Sequence, residues 1–120
     1  MVMFANKIFR DNFPLVKLQP VQLERVANLF RAFAEPTRLA IIQELKSGEM
    51  SVSEIVDQLT TSQANVSKQL KLLYDAGLVT RRKQATQVLY GIAEPMVFEL
   101  CALVCDKLNR DAEKPATLSF

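Results

Sequence analysis

Apolar residues recur at helical spacing through most of the chain, interrupted by one stretch of strand-like spacing after Gly77. Leu23, Val26, Ala27, Phe30 and Phe33 follow Pro20 at mostly three- and four-residue intervals. This predicts a helix over residues 20–34 with proline in its first turn, where no helical hydrogen bond is lost. A second helix begins near Pro36 and carries Leu39, Ile42 and Leu45 inward, with Gly48 as a stop beyond its end. Ser51-x-x-Glu54 reads as a capping box that opens a short helix to about Leu59, with Ile55, Val56 and Leu59 on its apolar side. Thr60-Thr61-Ser62 supplies a turn and a new N-cap. Val66, Leu70 and Leu73, at i, i+4 and i+7, then mark a helix to Ala76, ended by Gly77.

Beyond Gly77 the pattern becomes that of strands. Residues 78–82 and 87–92 read as a pair joined by Lys83 to Thr86, short enough for a hairpin. From Pro95 a last helix runs to about Asn109, with Val97, Leu100, Cys101, Val104 and Leu108 on one face. The expected fold is mainly α with a β-hairpin wing, in the order α-α-α-α-β-β-α. Two short helices across a tight turn, followed by a hairpin, make a winged helix-turn-helix domain over residues 19–110. Residues 1–18, with Phe4, Ile8, Phe9, Phe13 and Leu15, are too apolar for a free tail and predict an N-terminal arm or short helix. Residues 111–120 are expected to form a flexible tail.

Composition adds bounds to this picture. A chain of 120 residues fits one domain. Its net charge of +2 says little, but the distribution says more. Residues 62–90 sum to +4, whereas residues 19–61 and 91–120 each sum to −2, so the positive charge is gathered where the second short helix and the hairpin lie. That suits a polyanionic partner. Two cysteines do not make a disulfide scaffold, and there is neither a signal-peptide pattern nor an apolar run of membrane-spanning length. A cytoplasmic protein with no membrane partner is expected. Histidine is absent, no Gly-rich phosphate loop occurs, and no nucleophile has an evident base, so an enzyme is not expected.

The helix over residues 62–76 is the expected recognition helix. With Val66, Leu70 and Leu73 turned inward, Ser62, Gln63, Ala64, Asn65, Ser67, Lys68 and Lys71 are left to meet double-stranded DNA. Gln63 and Asn65 have the donor–acceptor pair that matches adenine in the major groove, and Ser67, Lys68 and Lys71 suit phosphates. Arg81, Arg82 and Lys83 add charge from the hairpin, although strand alternation prevents all three from sharing a face. A winged helix can also serve as a protein-interaction module without sequence-specific DNA binding; salt-dependent DNA affinity distinguishes the two.

Two segments carry a resemblance. Leu29-Phe30-Arg31-Ala32-Phe33-Ala34-Glu35-Pro36-Thr37-Arg38-Leu39-Ala40-Ile41-Ile42 and Ser67-Lys68-Gln69-Leu70-Lys71-Leu72-Leu73-Tyr74-Asp75-Ala76-Gly77-Leu78-Val79 resemble the ArsR/SmtB family of bacterial repressors. The resemblance covers about residues 20–110. It implies a homodimer formed by the first and last helices, and repression at a palindromic operator that an inducer relieves. The stripes over 20–34 and 95–109 agree with such an interface, through Leu23, Val26, Phe30, Val97, Leu100, Cys101, Val104 and Leu108.

The inducer is less legible. Many members of that family bind metals through cysteines in the short helix before the recognition helix, or through histidines and carboxylates on the last helix. Here Ser53-Glu54-Ile55-Val56-Asp57-Gln58-Leu59 contains no cysteine and the chain no histidine. What remains is Cys101 and Cys105, one turn apart, with Cβ atoms about 5–6 Å apart in an intact helix. A direct disulfide would be strained there, whereas arsenic(III), a soft metal or reactive sulfur could bridge the pair. Plain packing of two small buried thiols is the alternative.

Overall fold

The computed structural model describes residues 16–112 and 117–120. Its helices are α1 (Pro20–Phe33), α2 (Pro36–Leu45), α3 (Val52–Gln58), α4 (Gln63–Asp75) and α5 (Met96–Asp111). Its strands are β1 (Met50–Ser51), β2 (Val79–Gln84) and β3 (Gln87–Ile92). The sheet is antiparallel in the order β1-β3-β2, with Met50 opposite Tyr90 and Arg81 also opposite Tyr90 from the other side. Strand β1 is additional to the expected hairpin. The arm or helix anticipated over residues 1–18 lies outside the described residues, apart from residues 16–18, which belong to no helix or strand.

Local chemistry sets the helix ends. The Ser51 backbone N–H donates to Glu54 at 2.9 Å and the Glu54 N–H to Ser51 Oγ at 3.3 Å, the reciprocal box that starts α3. Ser62 Oγ accepts from the Asn65 N–H at 3.1 Å and starts α4. At the end of α4 the chain turns through Gly77 at φ +75°, a left-handed conformation that a Cβ disfavours. There the Leu78 N–H reaches the Leu73 carbonyl and the Gly77 N–H the Tyr74 carbonyl, both at 3.0 Å. These two bonds satisfy carbonyls that the helix itself cannot.

The core lies where α2, α3 and α4 meet the base of the sheet. Ile41, Ile42, Leu45, Ile55, Val66, Leu70, Leu73 and Val97 are buried together with Leu78 and Val79. Helix α2 buries adjacent positions, Ile41 and Ile42, because it is packed on more than one side. By contrast α1 buries only Phe33, and α5 only Val97 and Cys101. These two helices leave Leu23, Val26, Phe30, Leu103, Val104 and Leu108 exposed.

Two expectations need correction. Val97 belongs to the protomer's own core, with no exposed surface for an interface; it sits in the first turn of α5, where that helix lands on the α2–α4 core. Residues 117–120 are not a free tail. The Asn109 side chain grips the Leu118 backbone, accepting from its N–H at 2.7 Å and donating to its carbonyl at 2.9 Å. Lys46 Nζ donates to the Phe120 carbonyl at 2.8 Å, and the Phe120 ring packs against the core.

Candidate nucleic-acid interface

Helix α4 buries Val66, Gln69, Leu70 and Leu73 and turns Gln63, Ala64, Ser67, Lys68 and Lys71 outward. The capping residue Ser62 is also exposed, at the helix end whose amide dipoles favour anions. Lys71 forms an exposed i,i+4 ion pair with Asp75 at 2.9 Å, while Lys68 has no such partner among the described residues.

Alternation along β2 divides the wing's cations. Val79, Arg81 and Lys83 share the face toward α4, as the Arg81 guanidinium shows by stacking 4.3 Å from the Tyr74 ring centroid. That contact orients the wing against the recognition helix, so Arg81 and Lys83 extend the α4 surface. Arg82 points the other way. It grips Glu49 through Nε and an Nη at 2.7–2.9 Å, which holds the Glu49 carboxyl below its ordinary pKa, chiefly by the hydrogen bond. Glu49 can lie there because Gly91, opposite Thr80 in the ladder, has no side chain; a Cβ at Gly91 would approach Glu49 Cγ to 3.1 Å and Thr80 Oγ1 to 3.0 Å. Arg82, expected at the DNA surface with Arg81 and Lys83, thus lies on the opposite face of the ribbon, its charge paired with Glu49 across the sheet.

Asn65 is a second correction. It is half-buried, and its amide is consumed within the protein: Nδ2 donates to Thr61 Oγ1 at 2.9 Å and Oδ1 accepts from Gln69 Nε2 at 3.0 Å. Gln69 in turn accepts from an Arg38 Nη at 2.6 Å. Arg38 also donates Nε to the Ala32 carbonyl and its other Nη to the Arg31 carbonyl, both at 2.9 Å, at the end of α1. Sequence reasoning passed over Gln69 and Arg38. The available signal was a polar residue at 69, flanked by the inward positions 66, 70 and 73 and four residues from Asn65.

The other notable region is an apolar groove of about 420 Å³ between α1 and α5, walled by Phe30, Phe33, Leu100, Val104 and Phe120, with Cys101 and Cys105 opening onto it. Leu23, Val26, Phe30, Val104 and Leu108 are exposed along the same two helices, and Leu100 is half-buried. Both thiols are free, Cys101 buried and Cys105 half-buried. Burial pushes the Cys101 pKa up, and the neighbouring Cys105 adds to it. Among the described residues of one protomer no three His, Cys, Asp or Glu side chains gather to hold a metal, and the two thiols make a pair of donors. No helix among those residues is long and apolar enough to cross a membrane.

Comparison with known proteins agrees with this arrangement. The sequence pattern described as "Bacterial regulatory protein, arsR family" matches residues 35–81, from the N-cap of α2 into the wing. An HTH-type transcriptional regulator of Methanocaldococcus jannaschii, MJ1325, is 40% identical over 82 residues, which make up 68% of this chain and 92% of the relative. The biofilm growth-associated repressor of Xylella fastidiosa is 35% identical over 98 residues, 80% of this chain and 86% of that one. Among solved structures, the homodimeric winged helix-turn-helix DNA-binding domain of Mb0332 from Mycobacterium bovis superposes with a TM-score of 0.66 at 28% identity, covering 83% of this chain and 94% of that domain. With its helix-turn-helix, its basic wing and these relatives, the chain belongs to the arsR family of bacterial regulatory proteins, and is a transcriptional regulator built on a winged helix-turn-helix.

Proposed function

We propose that the protein is a cytoplasmic homodimeric repressor that binds a palindromic operator through α4 and the wing. One observation carries the reading: Gln63, Ser67 and Lys68 of α4 are exposed on a surface that Arg81 and Lys83 continue, with Arg81 stacked on Tyr74 of that same helix. Gln63, near the helix N-terminus, is the residue for base edges; Ser62, Ser67, Lys68, Arg81 and Lys83 serve phosphates, while Lys71 is held by Asp75. Ala64 offers a methyl group to a thymine.

Dimerisation would use the apolar faces of α1 and α5, through Leu23, Val26, Phe30, Leu100, Val104 and Leu108. Five exposed large apolar residues on these two helices, with the half-buried Leu100 among them, form a patch larger than scattered surface residues explain. The homodimeric state of the Mycobacterium bovis domain supports this assignment. Two-fold symmetry then calls for two half-sites about one helical turn apart.

Release would follow from an inducer at Cys101 and Cys105, since the groove onto which both thiols open adjoins that interface. A soft species that bridges two thiolates, such as arsenic(III) or reactive sulfur, suits a two-donor site.

The test is selection of bound sites from random duplexes by the purified protein, followed by affinity measurement across salt. Enrichment of an inverted repeat, with affinity falling steeply as salt rises, is the expected result. No enrichment and no salt-dependent affinity would overturn the reading in favour of a protein-docking role. Gel shifts with diamide, polysulfide and arsenite test the thiols; operator affinity unchanged by all three removes the sensing role.

A further inference from the structure

We propose that Gln69 is a positioning residue for base recognition: it locks the pose of α4 to the end of α1 through a one-directional hydrogen-bond chain, Arg38 to Gln69 to Asn65 to Thr61. The proposal rests on the reading of α4 as the DNA-contacting helix. No member of the chain need touch DNA.

The direction of the chain is fixed by chemistry. A guanidinium only donates, so Gln69 must present Oε1 to Arg38. Its amide nitrogen is then committed to Asn65 Oδ1, and the Asn65 nitrogen to Thr61 Oγ1. Every amide orientation follows from the charge on Arg38. Gln69 is 6% exposed, and no buried side-chain polar atom among the described residues lacks a partner. A shift of α4 along or about its axis breaks the Arg38–Gln69 bond, the link of the chain that crosses between helices, and leaves the buried Gln69 amide oxygen without its charged donor, while the Gln69–Asn65 and Asn65–Thr61 bonds carry that constraint along α4 to its first turn.

The two ends of the chain give it a role beyond stability. At one end, Arg38 spans the Arg31 and Ala32 carbonyls, in the last turn of α1 and immediately after the exposed Phe30. At the other end, Thr61 immediately precedes Ser62, the N-cap of the turn that carries Gln63. The attitude of α1 is thereby passed to the part of α4 that reaches base edges. The hydrophobic contacts of Val66, Leu70 and Leu73 hold α4 onto the core but permit small slides and rotations, since dispersion contacts have little direction. The amide chain supplies that direction.

Gln69→Leu keeps a side chain of similar size and removes every bond. The ratio of operator to non-operator affinity should fall by about 5- to 150-fold, the discrimination carried by one well-placed base contact. The salt slope of non-operator binding should stay at the wild-type value, since no phosphate contact is lost. Gln69→Glu is the rescue variant. Its carboxylate accepts from Arg38 and also from Asn65 after an amide flip, and Thr61 can then donate its hydroxyl to Asn65. It should keep the wild-type discrimination.

Equal loss of operator and non-operator affinity in Gln69→Leu would mark the network as merely structural and overturn the proposal. So would undiminished discrimination. If Gln69→Leu does not fold, Asn65→Ala breaks the chain further along and is read in the same way. Should the wild-type protein bind no DNA, the DNA-binding reading fails on its own. The chain is then tested by hydrogen exchange on the free protein. Gln69→Leu must accelerate exchange of the Asn65 and Val66 amides; unchanged exchange there also overturns the proposal.

Discussion

Replacing Lys68 by alanine removes one cation per protomer from the outer face of α4 and little else, since Lys68 is exposed and forms no ion pair among the described residues. Its effect can be worked from the charges that the structure leaves free. Lys71 is paired with Asp75 and Arg82 with Glu49, which leaves Lys68, Arg81 and Lys83 as the uncommitted cations of the surface, six in a dimer. At about 0.9 per neutralised phosphate, six contacts give a log–log salt slope of about −5.4, and the variant's four give about −3.6. Between 50 and 200 mM salt the wild type then loses about 2,000-fold in affinity and the variant about 150-fold. Fluorescence anisotropy of a labelled duplex at several salt concentrations reads the slope directly. Folding stability should move by no more than about 0.5 kcal/mol, as for an ordinary surface change. A variant slope within about 0.5 of the wild-type value would refute the assignment of Lys68 as a phosphate contact.

Two residues along the same helix the balance reverses: Leu70→Ala, at a fully buried position, should cost about 2–5 kcal/mol in urea unfolding, a large share of the about 5–15 kcal/mol typical of a domain. A loss below about 1 kcal/mol would mean that α4 is not docked as described. Phe30→Asp should convert the dimer to a monomer by size-exclusion chromatography; an aromatic ring contributes about 1.5–3 kcal/mol when buried, and symmetry loses it twice. Persistence of the dimer would place the interface elsewhere. Ala85→Gly should raise the unfolding midpoint, because Ala85 holds φ at +57°, a conformation that costs a residue with a Cβ about 1–2 kcal/mol; a lower midpoint would contradict the turn geometry. Cys105 should be alkylated before Cys101, and Cys101 labelling should keep rising at pH values where an ordinary thiol is already ionised. The folded Cys101 holds its proton more tightly than the unfolded chain, so its contribution to stability is full below the ordinary thiol pKa and drains away as pH rises through the folded value. Equal labelling of both thiols at every pH would count against this placement.

What was legible in the sequence is what depends on neighbours in the chain. Ser51 with Glu54, Ser62 and Gly77 mark helix ends through bonds made within six residues, and each is where the pattern puts it. What was hidden depends on partners brought in by folding. Strand β1 is two residues long, too short for alternation to show, and becomes a strand only beside Leu89 and Tyr90. Asn65 lies on a polar flank of α4 that spacing alone assigns to solvent; Gln69 and Thr61 claim it, and Arg38 on α2 anchors the claim. Val97 shares an apolar stripe with Val104 and Leu108, and periodicity cannot say which part of a stripe meets the protomer's own core. Leu118 is held by a side chain nine residues upstream, a pairing with no periodic signature.

The short reach of β1 also bears on how the wing would meet a duplex. Support from the third strand ends at Leu89, so Arg81, opposite Tyr90, sits on a braced portion of the ribbon, while Lys83, opposite Val88, sits on a two-stranded tip beyond it. A two-stranded ribbon is only marginally stable by itself, so the tip is compliant where the base is stiff. On the proposed reading, Arg81 would act as a fixed bearing, and Lys83 as a follower that tracks a groove whose width varies with sequence. Operators sharing the bases read by α4 but differing in flanking groove width would be ranked by how much order each imposes on the tip. That ranking would be entropic, and temperature would reveal it where a single affinity would not.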